Sequence, residues 1–307
     1  MIIVSELAKE DLIKWFKLSQ VTGLGPQKIR KLLSYFNNIA AIFNLSDSEL
    51  LQTRIFNETM IQEFNRLKNA SDENFEKNVD ECKEKGIKIM TLVDKDYPKQ
   101  LNYLTSPPLT LFLLGRNELL DDKKIAIVGT RTPDKKAKEY AFSLSKFLAE
   151  KGLTIISGGA LGIDTSAHIG ALDVEKGKTI SVLGAGFNHP YPPENSELFD
   201  QIKKRGLLIS EHLPNFKGSR ISYLQRNRIT SGLSDALFLV AANKSGGSLT
   251  QVKIANSQRK QVFCPRLADG IMPNEGVIES IVKYGAQQVD NKEHFFRLVS
   301  TSLNSFL

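Results

Sequence analysis

Glycine, hydroxyl and cationic residues recur in short clusters along the second part of the chain, and their shared chemistry is anion binding. Gly129-Thr130-Arg131-Thr132-Pro133 puts the planar donor fork of Arg131 beside a glycine that permits a sharp turn. Ser157-Gly158-Gly159-Ala160-Leu161-Gly162-Ile163-Asp164 has three glycines that let successive backbone N–H groups turn inward as an anion nest, with a helix start behind them. Lys244-Ser245-Gly246-Gly247-Ser248-Leu249-Thr250 repeats that composition at a second helix start, without the GxxxxGK[ST] spacing of a P-loop. Arg226-Asn227-Arg228 adds two guanidinium groups that do not share one helix face, so one is free to reach a phosphate while the other pairs within the fold. Phe187 and Tyr191, in the stiff stretch from Gly184 to Pro193, are candidates to stack on a base. Four of these five clusters also have a plainer reading. These are a βα turn with a surface arginine, a packing turn in which Asp164 is an N-cap, an arginine–carboxylate network, and aromatics roofing a sheet.

Residues suited to turnover are sparse in the same loops. His168, His189, His212 and His294 form neither HExxH nor a Cys/His cluster, so no metal site is expected. His168 follows Asp164 by one helical turn and is expected to pair with it. No serine lies in a GxSxG elbow. Asp164 and Glu211 are the two acids placed to serve a nucleotide hydrolase, and a helix cap or a surface contact accounts for each more simply. The expectation is a binding protein with no catalytic residue and no cofactor.

The elements that must carry these loops follow from hydrophobic period. Ile125–Val128, Leu153–Ile156, Thr179–Leu183, Leu207–Ile209, Ala236–Val240 and Gln261–Phe263 read as short buried strands, with Leu111–Leu114 before them. Helical stretches alternate with most of them. One places Ala137, Tyr140, Ala141, Leu144, Phe147 and Leu148 on a single face and stops at Gly152. Such alternation predicts a parallel sheet covered on both faces, with ligands beyond the carboxyl ends of the strands, where the glycine loops begin. Residues 1–85 read as helices, Ile87–Val93 as a strand, and the proline-punctuated stretch from Tyr97 to Pro108 as the joint, giving domains 1–108 and 109–307. In the first, Val21-Thr22-Gly23-Leu24-Gly25-Pro26-Gln27-Lys28 resembles a helix-hairpin-helix turn. Gly23, Gly25 and Lys28 are its candidate DNA contacts, and a plain helix connector would look the same.

Composition agrees with this outline. The 307 residues carry a net charge of +7, are 41% hydrophobic and contain two cysteines outside any CxxC motif. Residues 1–108 hold 15 Lys+Arg against 15 Asp+Glu, so the whole excess lies in residues 109–307, as a polyanion partner would favour. No apolar run is long enough to span a membrane, and Met1-Ile2-Ile3-Val4 is too short for a signal segment, so the expected location is a reducing cytoplasm.

Taken in order, the motifs resemble those of the DNA-processing protein A (DprA/Smf) family. They are Ile127-Val128-Gly129-Thr130-Arg131, Ser157-Gly158-Gly159-Ala160-x-Gly162-Ile163-Asp164-x-x-Ala167-His168, Val182-Leu183-Gly184-x-Gly186, Tyr191-Pro192, Arg226-Asn227-Arg228-Ile229, Gly232-Leu233-Ser234 and Ser245-Gly246-x-Ser248-Leu249-Thr250. The resemblance implies an α/β fold, an extended Rossmann-like parallel sheet domain preceded by a small helical domain of sterile-alpha-motif type. It implies a non-enzymatic homodimer that binds single-stranded DNA, protects incoming strands and helps load a RecA-type recombinase in natural transformation. By motif, phosphate contact is implied at Gly129, Thr130, Arg131, Ser157, Gly158, Gly159, Gly162, Arg226, Asn227, Arg228, Lys244, Ser245, Gly246 and Ser248. Three positions depart from the family pattern. Tyr223-Leu224 stands for Phe-Pro, Val240-Ala241-Ala242 for Val-Glu-Ala, and Pro265-Arg266 for Pro-Gly. The missing Glu is expected to cost one of the arginines of Arg226-Asn227-Arg228 an internal partner. The chain's end at Leu307 is expected to leave no C-terminal winged helix. The alternative reading is a nucleotide-sensing Rossmann-like module.

Overall fold

In the first unit, residues 1–97 and 105–111, short amphipathic helices bury one face each, and side-chain N-caps start three of them. The structure, a computed structural model, describes residues 7–36 and 38–304, so the leader reading at Met1–Val4 lies outside the described residues. The helices are α1 (Lys9–Ser19), α2 (Pro26–Phe36), α3 (Ile39–Phe43), α4 (Asp47–Gln52), α5 (Glu58–Lys68) and α6 (Glu73–Glu84), followed by strand β1 (Lys88–Thr91). Asn38 and Asn57 cap α3 and α5, and Ser46 with Glu49 forms a capping box on α4. Phe64 lies edge-on to Phe43 and Phe56 in the core of this unit. Trp15, the single tryptophan, is buried and donates to Thr110 Oγ1 at 2.9 Å.

The second unit, residues 98–104 and 112–307, begins with one helical turn, α7 (Lys99–Asn102), and is built on a mostly parallel sheet. Its elements in chain order are β2 (Thr110–Gly115, entering the unit at Phe112), β3 (Lys124–Val128), α8 (Lys135–Glu150), β4 (Thr154–Ser157), α9 (Ile163–Leu172), β5 (Thr179–Leu183), α10 (Ser196–Arg205), β6 (Leu207–Ser210), α11 (Arg220–Gln225), α12 (Asn227–Leu233), β7 (Ala236–Leu239), α13 (Gly247–Ser257), β8 (Gln261–Pro265), α14 (Glu275–Tyr284), β9 (Gln287–Val289) and α15 (Lys292–Asn304). The strands lie in the order β2-β6-β5-β4-β3-β7-β8-β9. Strands β3 to β7 are buried at every position, as strands covered on both faces must be. Ala137, Ala141, Leu144 and Leu148 of α8 pack with Ile125, Ile155 and Phe238 of the sheet, and Gly152 closes the helix at φ +83°.

Two features differ from the sequence expectation. β2 runs antiparallel to β6, pairing Phe112 with Ser210, because the chain reaches β3 through a short 3-10 turn at Asn117–Asp121 and no crossover helix. β9, three residues of which two are exposed, carries no run of apolar residues that would announce it. The chain order places β4 and β7 on opposite sides of β3, so the strand order reverses there. That makes the carboxyl end of β3 a topological switch point.

Candidate nucleic-acid interface

At that switch point lies an open groove of about 740 Å³. The loop after β3 supplies Gly129, Thr130, Arg131 and Thr132; the junction of α11 and α12 supplies Tyr223, Arg226 and Asn227; the loop into α13 supplies Lys244, Ser245, Gly246 and Ser248. Tyr191 and Ala160 complete it from the two remaining loops. The clusters that begin at Gly129, Arg226 and Lys244 in the sequence therefore meet in one space. Arg131, Lys244 and Ser245 are exposed. Gly246 is the N-cap of α13, so the first turn of that helix presents its free N–H groups and positive dipole end here. Arg220, Asn243, Gln251 and Lys253 also line the groove and escaped the sequence reading. Helical spacing would have found two of them, since Arg220 lies three residues before Tyr223 and Lys253 three after Thr250.

The glycine loop between β4 and α9 is arranged otherwise. Asp164 is not the N-cap of α9; that position is Gly162, at φ +84°. Asp164 sits inside the first turn, and its Oδ2 accepts from the N–H groups of Gly158 at 3.2 Å and Ala160 at 3.3 Å. The nest is thus occupied by the chain's own carboxylate. Burial raises the pKa of Asp164, opposed by Arg226 and by these N–H donors. Ser157 is fully buried and donates from Oγ to Ile127 O at 2.7 Å, so its hydroxyl serves the sheet. Gly159, at φ +72°, has Phe199 and Ser181 where a Cβ would project, and Gly162 has the backbone of Thr130 and Arg131. Gly159 and Gly162 shape the loop, while Gly158 lies against Arg226, whose guanidinium fills the place where a Cβ would stand.

The two arginines of Arg226-Asn227-Arg228 divide their tasks. Arg228 forms a forked pair with Glu211, Nη1 to Oε1 at 2.9 Å and Nη2 to Oε2 at 2.6 Å. Glu211, just after β6, is thus the internal partner of Arg228, and the arginine left short of partners beside Ala241 is Arg226. Arg226 is 6% exposed, its Nε and Nη1 have no hydrogen-bond partner, and burial lowers its pKa against the raising influence of Asp164.

His168 does not pair with Asp164. Its Nδ1 lies 2.7 Å from Thr179 Oγ1, which itself donates to Ile155 O, and full burial pushes its pKa down to about 3. Phe187 packs with the apolar cluster of Leu183, Leu198, Phe199 and Ile202, which leaves Tyr191 as the exposed aromatic. Its ring lies 5.4 Å from that of Tyr223, tilted by 42°, at the groove edge. In the helical unit, the turn holding Gly23, at φ +81°, and Gly25 joins α1 to α2. Thr22 donates from N and Oγ1 to the two carboxylate oxygens of Glu63, at 2.7 and 3.2 Å, while Lys28 Nζ lies 3.9 Å from Met60 Sδ. Glu63 therefore takes two donors of Thr22, the residue before Gly23.

Among the described residues no group of three or more His, Cys, Asp or Glu is arranged to hold a metal ion, and no helix is long and apolar enough to cross a membrane. Both cysteines are unpaired and buried.

Comparison with known proteins gives consistent matches. The family model described as DNA recombination-mediator protein A matches residues 88–300. The DNA processing protein DprA of Bacillus subtilis is 37% identical over 217 residues, covering 70% of this chain and 72% of the relative. Protein Smf of a Synechocystis strain is 32% identical over 288 residues, covering 92% and 71%. Among solved structures, DprA of Streptococcus pneumoniae superposes with a TM-score of 0.77 at 27% identity, covering 95% of this chain and 98% of that one. DNA processing protein A of Helicobacter pylori, whose structure is described as revealing a single-stranded DNA binding mode, superposes at 0.62 with 32% identity, covering 71% and 96%.

Proposed function

The chain belongs to the DNA recombination-mediator protein A family, and from that premise we propose that it binds single-stranded DNA along the groove at the carboxyl end of β3. It acts by binding rather than by turnover. The observation that carries the reading is the convergence of Arg131, Arg220, Lys244 and Lys253 on one open groove, in which Asp164, already bonded to backbone N–H groups, is the single carboxylate among the described lining residues. Cations and helix N–H groups would follow the sugar–phosphate backbone, and Tyr191 with Tyr223 would stack bases with little sequence preference. Phosphate contact falls to Arg131, Lys244, Ser245 and the backbone of Gly129, Thr130 and Gly246, with Asn227 and Ser248 beside them. Ser157, Gly158, Gly159 and Gly162 set the loop's shape, and Arg228 braces α12.

The proposal has three further parts, which the resemblance in motifs implies: a homodimer, a cytoplasmic setting, and loading of a RecA-type recombinase onto incoming strands. Residues 1–108 would form its helical domain and 109–307 its DNA-binding domain. Fluorescence anisotropy with oligo-dT, the matching duplex and thymidine monophosphate tests the central claim. Tight binding of the single strand that weakens steeply with salt is expected. Binding of the mononucleotide with none of the oligonucleotide would replace this reading with a nucleotide sensor.

A further inference from the structure

A second, much smaller side pocket of about 30 Å³ adjoins the groove and shares Arg131, Ala160, Tyr191, Tyr223 and Arg226 with it. Gly158 and Leu161 belong to its wall alone. A single water needs roughly 10–15 Å³ of such space, so this pocket has room for one small polar group and none for a sugar or a base. Its floor is the guanidinium of Arg226, 94% buried, with Nε and Nη1 unpartnered. Buried donors of this kind are nearly always satisfied, and the nearest acid has been diverted, since Asp164 accepts from the glycine loop. A buried cation whose donors lack acceptors is costly to maintain even with Asp164 nearby, which marks the pocket as shaped for an anionic acceptor.

The size of the pocket selects among anions. An interior phosphodiester carries a sugar on each side and must run along an open groove. A terminal phosphate monoester carries one substituent, about −1.5 to −2 charges at neutral pH and three acceptor oxygens. We propose that the side pocket seats the terminal phosphate monoester of a DNA strand between Arg226 and Arg131, so that a phosphorylated strand end anchors there while interior phosphates follow the groove. This inference rests on the groove being the single-strand interface.

The test is anisotropy of the full chain with internally labelled oligo-dT bearing a 5′-phosphate, a 3′-phosphate or neither. One phosphorylated form is expected to bind about tenfold tighter than the unphosphorylated strand, as one net charge-assisted hydrogen bond would give. Inorganic phosphate should erase that preference. Leu161→Trp, made at a residue exposed by 38% and absent from the groove lining, should fill the pocket and abolish the preference while the unphosphorylated strand binds as before. Arg226→Lys, checked for folding by thermal melting, should reduce the preference by removing the fork. Equal affinity for all three strands, or a preference that survives in Leu161→Trp, would overturn the inference and leave the groove reading intact. Loss of all oligonucleotide binding would overturn both.

Discussion

Arg228 and Glu211 face each other through two parallel N–H···O bonds, at 2.9 and 2.6 Å, with side chains only 20% and 14% exposed. The pair ties the first turn of α12 to the end of β6 and so holds in place the helix junction that carries Arg226 into the groove. Glu211→Gln leaves the guanidinium half-satisfied in a poorly hydrated place. It is expected to lower stability by about 2 kcal/mol, read as a lower urea midpoint at unchanged m-value. Oligonucleotide affinity should fall less in this variant than in Arg131→Ala, because Arg228 is engaged within the fold.

Arg131 is exposed and lines the groove. Arg131→Ala should weaken oligo-dT binding and reduce the slope of log K against log salt by about 0.7, the contribution of one phosphate contact on a single strand. Lys244→Ala should act in the same way. An unchanged slope in both variants would place the strand elsewhere.

Stability should depend on His168. In the fold this imidazole stays neutral down to about pH 3, whereas in the unfolded chain it takes up a proton near 6.5. Below pH 6.5 the unfolded state therefore binds more protons, and the stability contributed above that pH is lost as pH falls toward 3, at about 1.4 kcal/mol per pH unit. Denaturant titrations at pH 7 and pH 5 should show a loss of about 2 kcal/mol that is absent from His168→Asn.

Gly159→Ala forces a Cβ into contact with Phe199 Cε1 at 2.6 Å and Ser181 Oγ at 2.7 Å, on a backbone at φ +72°. The expected cost is about 2–3 kcal/mol, visible in thermal melting, with reduced oligonucleotide affinity because the loop that supports Arg226 moves.

Trp15 offers a reporter for the helical unit. Its indole is 1% exposed and donates to Thr110 Oγ1. Thr110→Val orphans that donor and is expected to cost about 1–2 kcal/mol. Tryptophan fluorescence should be blue-shifted in the folded chain and move red in a single transition on denaturation, at lower urea in the variant.

The strands, the glycine loops and their placement at one sheet edge were legible in the sequence because each depends on neighbours close in the chain. Ile125–Val128 announces a buried strand by composition alone, and Lys244–Thr250 announces a helix start. Other features depend on distant residues that period and spacing do not connect. Nothing near Asp164 indicates that its carboxylate turns back on Gly158 and Ala160 instead of capping the helix. Nothing near residue 226 places its guanidinium against Gly158, or chooses Glu211 as the partner of Arg228. Phe187 illustrates the same limit, since an aromatic in an exposed-looking loop packs half-buried against an apolar cluster that faces it.

The carboxylate of Asp164 within the Gly158–Ala160 turn has a kinetic corollary. A turn that brings its own counter-charge keeps its contour whether or not a guest is present. An arriving strand then meets a finished wall, and the speed of capture is governed by electrostatic steering and encounter, with no waiting for that wall to assemble.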